Sequence, residues 1–223
     1  MYYNEHKGQG KAMKKSFTLK KTLLFVACFF ISPFARCLAL KANIGTGAYS
    51  AITKTLSPLI NLKIGTIGAC LNIMCILVEL VILKKDFKLR HFLQFFFAMA
   101  TGALTNYIYY NLLGNFHVDS YILKVGLLVV SDIVNSFAVA TLLNIDYVST
   151  PLGGACHVVS TALKKPYAFA RQGVDVICII VILIAVFFFH GELTIREGTI
   201  INALEFGPLV DFWLNKTKGL SDK

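Results

Sequence analysis

Charge is scarce in this chain. Of its 223 residues only 15% are Asp, Glu, Lys or Arg, against the roughly 25% of a soluble domain. The hydrophobic share is 56%. That balance excludes an ordinary soluble globular protein and points to a membrane protein in contact with the lipid bilayer. Acidic residues are scarcer still, 12 against 22 basic ones, giving a formal charge of +10. The basic residues lie in short clusters between apolar stretches and no nucleic-acid motif accompanies them, so no nucleic-acid partner is expected. A Walker loop, GxSxG and HExxH are all missing, and the glycines of "GTGAYS" neither follow a strand nor make GxGxxG. No catalytic residue and no enzyme activity is expected. The six cysteines form no CxxC pair and have no histidine at zinc spacing, Cys156-His157 being the one adjacent pair of ligand types. They read as small buried apolar residues, and neither a metal nor a cofactor is expected.

What the chain has in abundance is apolar runs. About 20 mostly apolar residues cross a bilayer as a helix, and five segments meet that length or nearly so: Thr22–Leu40, Ile64–Leu83, Phe92–Leu113, Tyr121–Leu143 and Val174–His190. A sixth, Gly198–Leu214, is shorter and broken by Gly207-Pro208, but membrane helices tolerate a proline where neighbours satisfy the freed carbonyl. The expected architecture is all-α: a polytopic transmembrane bundle of about six spans. A basic N-terminal tail (1–21) precedes one membrane domain (22–214), and a C-terminal tail (215–223) follows it.

Charge asymmetry orients the bundle. With the N-terminus in the cytoplasm, sixteen of the 22 Lys and Arg residues fall in cytoplasmic segments, the bias of the positive-inside rule. Three of these, Lys164, Lys165 and Arg171, lie between spans four and five. Both termini are then cytoplasmic. A cleaved signal peptide ending at "CLALKA" is the alternative for span one, but Arg36 and Cys37 fit such a site poorly.

A three-span unit used twice must point opposite ways, which invites a search for inverted repeats. "GTGAYSAITKTL" (45–56) lies over "LGGACHVVSTAL" (152–163) at a shift of 107, pairing Gly47 with Gly154. Each run leads through a Pro-containing loop into a long apolar span. We therefore expect repeat one over about 22–114 and repeat two over about 121–214, each with a short half-helix headed by glycines. Such a helix start offers free N–H groups to an anionic or polar ligand. The alternative is a pair of interfacial amphipathic helices whose glycines only make turns.

Three stretches in order, "ANIGTGAYSAITKTLSPLINLKIGTIGACLNI", "TPLGGACHVVSTALKK" and "IREGTIINALEFGPLVDFWL", resemble the YczE-like members of the YczE/YyaS/YitT group of bacterial integral membrane proteins. The likeness runs from about Leu23 to Leu214. It departs at Ala48-Tyr49, where the family commonly has a Pro-Trp or similar pair, and in the third span, which lacks the Gly-Thr that opens the sixth. The resemblance implies a multi-pass protein of the bacterial inner membrane and implies no defined transport or enzymatic activity.

Ionisable groups inside spans are costly and need a partner, a cavity or a route to the interface. In span four Asp132, Asn135 and Ser136 fall at i, i+3 and i+4 with Lys124 on nearly the same side, a polar stripe that either lines a path or glues helices together. Glu79 and Arg36, near span edges, are expected to snorkel to the interface. Glu205 lies mid-span before Gly207-Pro208, facing either a cavity or water. Asn72 and Asn106 could join a polar centre, and Tyr107, Tyr109 and Tyr110 read as an aromatic belt.

Two functions compete. The first is a small-molecule transporter or permease, or a substrate-binding membrane subunit that hands its ligand to a separate ATPase. Its site would comprise Gly45, Gly47, Gly153 and Gly154 at half-helix ends with Asp132, Asn135 and Glu205. The second is a non-transporting membrane scaffold or regulator acting through Lys84, Lys85, Lys88 and Arg90 on partner proteins or anionic lipid.

Overall fold

The computed structural model describes residues 19–84, 89–191 and 193–218. The basic tail before Leu19, Lys85, Lys88 and the last five residues lie outside the described residues. The described residues form eight α-helices: α1 (Leu19–Ala42), α2 (Ala48–Ile60), α3 (Ile64–Leu83), α4 (Leu89–Asn106), α5 (Tyr121–Ile145), α6 (Pro151–Leu163), α7 (Tyr167–Phe189) and α8 (Glu197–Thr217). A π-helical segment, Tyr107–Leu112, continues α4, and no strand occurs among the described residues.

Four helices, α1, α3, α5 and α7, are long and apolar enough to cross a membrane. Their outward faces carry bare aliphatic and aromatic side chains such as Leu77, Val81, Ile122, Ile180 and Phe187. A soluble monomer rarely exposes apolar area on that scale, whereas lipid solvates it. The expected third and sixth spans, α4 and α8, fall outside that group of four. His91 and Gln94 dilute the start of α4, and α8 carries Glu197, Glu205, Asp211 and Lys216. The break foreseen at Gly207-Pro208 does not occur: α8 runs through Pro208. Gly207 instead lets α8 approach α7, because a Cβ there would meet the Ala168 Cα at 2.9 Å.

Without a hydrophobic force between helices, close approach of small residues holds a membrane bundle together. α1 buries Cys28, Ser32, Ala35, Ala39 and Ala42 along one face, and that face packs on α5. α3 and α4 meet backbone to backbone, since a Cβ on Gly102 would reach the Gly65 carbonyl oxygen at 2.7 Å. The connection across the chain is reciprocal: α2 packs on α7, and α6 packs on α3.

α2 and α6 are each 13 residues long. α2 begins directly after Gly47, as the glycine signal suggested. α6 begins earlier than expected, because Thr150 caps it by accepting a hydrogen bond from the Gly153 amide and Pro151 occupies its first turn. Gly153 and Gly154 thus lie inside the first turn and do not head the helix. The two helices start at Ala48 and Pro151 and end at Ile60 and Leu163, an offset of 103 at both ends. The letter alignment at 107 is four residues out, about one helical turn, which keeps each side chain on the same face.

Candidate functional site

The first turns of α2 and α6 border one cavity in the middle of the bundle, and every one of the eight helices contributes to its wall. Its volume is about 50 Å³, against the roughly 10–15 Å³ that one water requires. Polar side chains dominate part of the wall. α1 supplies Ser32 and Arg36, α3 supplies Asn72, α5 supplies Asp132 and Asn135, α7 supplies Arg171 and α8 supplies Asn202.

Several of these are held by neighbours. Ser32 Oγ donates to Asn135 Oδ1 at 2.7 Å, joining α1 to α5. Tyr49 Oη donates to Asn72 Oδ1 at 2.8 Å, fixing the start of α2 on α3. Arg171 forms an ion pair with Asp175 one turn along α7, Nη1 to Oδ1 3.0 Å, and its guanidinium lies 5.2 Å from the centre of the Phe206 ring. Other groups have capacity to spare. Asp132 Oδ2, Asn202 Oδ1 and Arg171 Nε are buried without a hydrogen-bond partner, although such groups in native proteins nearly always have one. Asp132 and Glu205 are close enough to interact across the α5–α8 contact.

A second polar cluster lies at the other side of α6. Glu79 is 0% exposed. Its Oε2 is 2.7 Å from His91 Nδ1, and Gln94 Nε2 donates to its Oε1 at 3.3 Å and to Ser149 Oγ at 2.9 Å. Gly154 faces this cluster, and a Cβ there would collide with Glu79 and come within 2.8 Å of Gln94 and Ser149. A carboxylate at a helix N-terminus interacts favourably with the helix dipole, so Glu79 holds α6 against α3. The expectation that Glu79 snorkels to an edge is corrected: a histidine and a glutamine give it partners inside the bundle. Arg36 is corrected likewise. It faces the central cavity, where α1 packs on α5, and not the interface.

The structure brings Gly47, Gly153, Asp132 and Asn135 to one cavity. It does not bring the remaining candidates there. Gly45, at φ +101, makes the bend before α2 and packs against Thr199 and Arg196, Gly154 faces Glu79, and Glu205 touches the site only through Asp132. The polar stripe divides, since Ser136 donates to its own helix at Ile133 O. Asn72 joins the site, while Asn106 accepts from the Gly65 amide at 2.8 Å and only ties α4 to α3. Cys156 is buried and His157 exposed, so that pair points apart. Tyr107 and Tyr110 face outward, and Lys41 lies 4.7 Å over the Tyr109 ring.

Arg171 and Asp175 are the residues that the sequence reading missed. Arg171, assigned to a cytoplasmic loop, is 5% exposed within α7. The signal was present: opposite charges at i and i+4 are a helix-stabilising pair, and they extend the fifth span back to Tyr167.

Fold and site define a helical protein of membrane type with a polar cavity at its centre. Within that class the chain belongs to a family of unknown function, DUF6198, whose profile matches residues 19–215. No curated protein and no solved structure matches it.

Proposed function

We propose that the chain is a small-molecule permease, or the substrate-binding membrane subunit of a transport system, with its ligand held in the central cavity. The observation that carries this reading is the set of buried polar groups with unused hydrogen-bonding capacity, Asp132, Asn202 and Arg171, on the wall where two short helices begin. A polar cavity inside a bundle whose outside is apolar is costly unless something polar occupies it.

On this reading α1–α4 and α5–α8 are two inverted repeats of three spans and a half-helix, six spans in all, in the bacterial inner membrane with both termini cytoplasmic. The likeness to the YczE-like group belongs to the same reading. The repeat is supported by the reciprocal packing of α2 on α7 and α6 on α3. Left-handed caps also recur at the same offset of 103, Asn43 with Asp146 and Asn61 with Lys164. Ser32 and Asn135, 103 apart, are hydrogen-bonded to each other, which fits equivalent residues lying close to a pseudo-twofold axis. The chain's recognised motifs include no nucleotide site, so a subunit of this kind takes its energy from an ion gradient or a partner ATPase.

The test is thermal stability of the detergent-purified protein against a library of neutral, cationic and anionic metabolites, repeated with Asp132→Asn and Asn135→Leu. A compound-specific upward shift that disappears in these variants is expected. Absence of any shift in folded protein, with unchanged association of copurifying proteins in the same variants, would sink the proposal in favour of a scaffold.

A further inference from the structure

Resting on the reading of the central cavity as a ligand site, we propose that its ligand is a small anion, held between Arg36 and Arg171. The two guanidiniums line the same cavity and are near enough to act on one another as like charges. Arginine cannot shed its proton in a protein, so the repulsion persists at every physiological pH. Arg171 is ion-paired with the Asp175 carboxylate at 3.0 Å, and the Asp132 carboxylate acts on it as well. Among the described residues Arg36 has no hydrogen-bond or ion-pair partner, and the groups acting on it are Tyr49, Cys37 and Arg171, with no carboxylate among them. Asp132 lines the cavity too, but it faces Asn202 and Glu205 on α8. Arg171 is thus served by carboxylates while none acts on Arg36, and an anion bound between the two guanidiniums supplies Arg36 with a counter-charge. Charge-assisted hydrogen bonds from a guanidinium to an anion are among the strong ones, and Arg171 Nε is still unused.

A smaller recess beside the loop between α1 and α2 has Lys54 and Arg196 in its wall and shares Thr46 with the central cavity. Lys54 Nζ donates to Asn43 Oδ1 at 2.7 Å and Arg196 Nη1 to Asn43 O at 2.9 Å, so both cations are fixed at its rim. Size narrows the class further: a cavity of about 50 Å³ holds an ion of a few heavy atoms. Halides, nitrate, formate and acetate fit this description, and sugar phosphates do not.

The test is melting temperature of the full chain in detergent at constant ionic strength. The sodium salts of chloride, nitrate, formate and acetate are compared with sodium gluconate, and sodium chloride is compared with choline chloride. At least one small anion is expected to raise the melting temperature saturably, gluconate not to, and the cation to make no difference. Arg36→Gln should weaken that anion by at least about tenfold, with Arg36→Lys between the two. Arg36→Gln is also expected to fold without loss of melting temperature in gluconate, because it removes a like-charge contact. Equal shifts in gluconate, a dependence on the cation, or an unchanged affinity in folded Arg36→Gln each overturn the proposal. A neutral or cationic compound whose shift is lost in Asp132→Asn but kept in Arg36→Gln overturns the anion class alone and leaves the ligand site standing. A protein that no compound shifts overturns both.

Discussion

α2 and α6 have the same length, and each packs on a long helix from the other half of the chain, yet their first turns meet different surroundings. The start of α6 is capped, and on the side away from the cavity it is packed. Thr150 caps it, and Glu79, His91, Gln94 and Ser149 fill the space beside Gly154. The start of α2 has no side-chain cap. The three atoms that a Cβ on Gly47 would meet first all belong to the amide of Asn202, and Gly47 lines the cavity that Arg36 and Arg171 also line. One architecture thus serves two ends: both starts border the central cavity, but that of α6 is also capped and anchored by protein groups on its other side, while that of α2 has no side-chain cap. A binding site needs the second condition as much as it needs the helix.

The contrast can be broken most strongly at Glu79. Glu79→Ala strands His91 and Gln94 inside the bundle and is expected to cost about 3–5 kcal/mol, read as a large fall in melting temperature. Next come the two glycines. Gly154→Ala forces a methyl into Glu79, Gln94 and Ser149, at a cost of roughly 1–3 kcal/mol. Gly47→Ala meets a single amide that can turn into the cavity, so its loss should be the smaller of the two. Denaturation of both variants side by side checks the order, and a reversal would mean that the α6 end is the softer. Tyr49→Phe removes the hydrogen bond to Asn72 at the start of α2 and is expected to cost about 1 kcal/mol. Val81→Ala, on the lipid-facing side of α3, should change stability by no more than about 0.5 kcal/mol and leave ligand-induced shifts intact.

How much of this was legible depended on where each signal lay. Apolar runs gave α3 with both ends correct, Ile64 and Leu83, and α5 with the correct start. They failed at α7, which begins seven residues before the expected Val174, because Arg171 and Asp175 interrupt the run while facing the interior. Hydropathy averages a residue without asking which way it points. The start of α6 was written in the sequence as Thr150-Pro151, a cap followed by proline at the first position, and the more conspicuous glycines drew attention away from it. The Glu79–His91 pair could not be read at all. Twelve positions separate the two, one on α3 and the other on α4, and only the packing of those helices joins them. Arg36 shows the same limit: its position near a span end suggested the interface, while its helical face decided for the cavity.

The hydrogen bond between Ser32 and Asn135 also fixes an order of events during synthesis. The two residues are 103 positions apart, so at the usual pace of roughly 5–20 residues per second α1 waits about 5–20 s before its partner face on α5 exists. Throughout that interval Ser32 and Arg36 have neither the bundle nor the cavity around them. An arginine within an apolar helix needs a partner, a cavity or a route to the interface, so α1 has need of a temporary neighbour while the second half of the chain is being made.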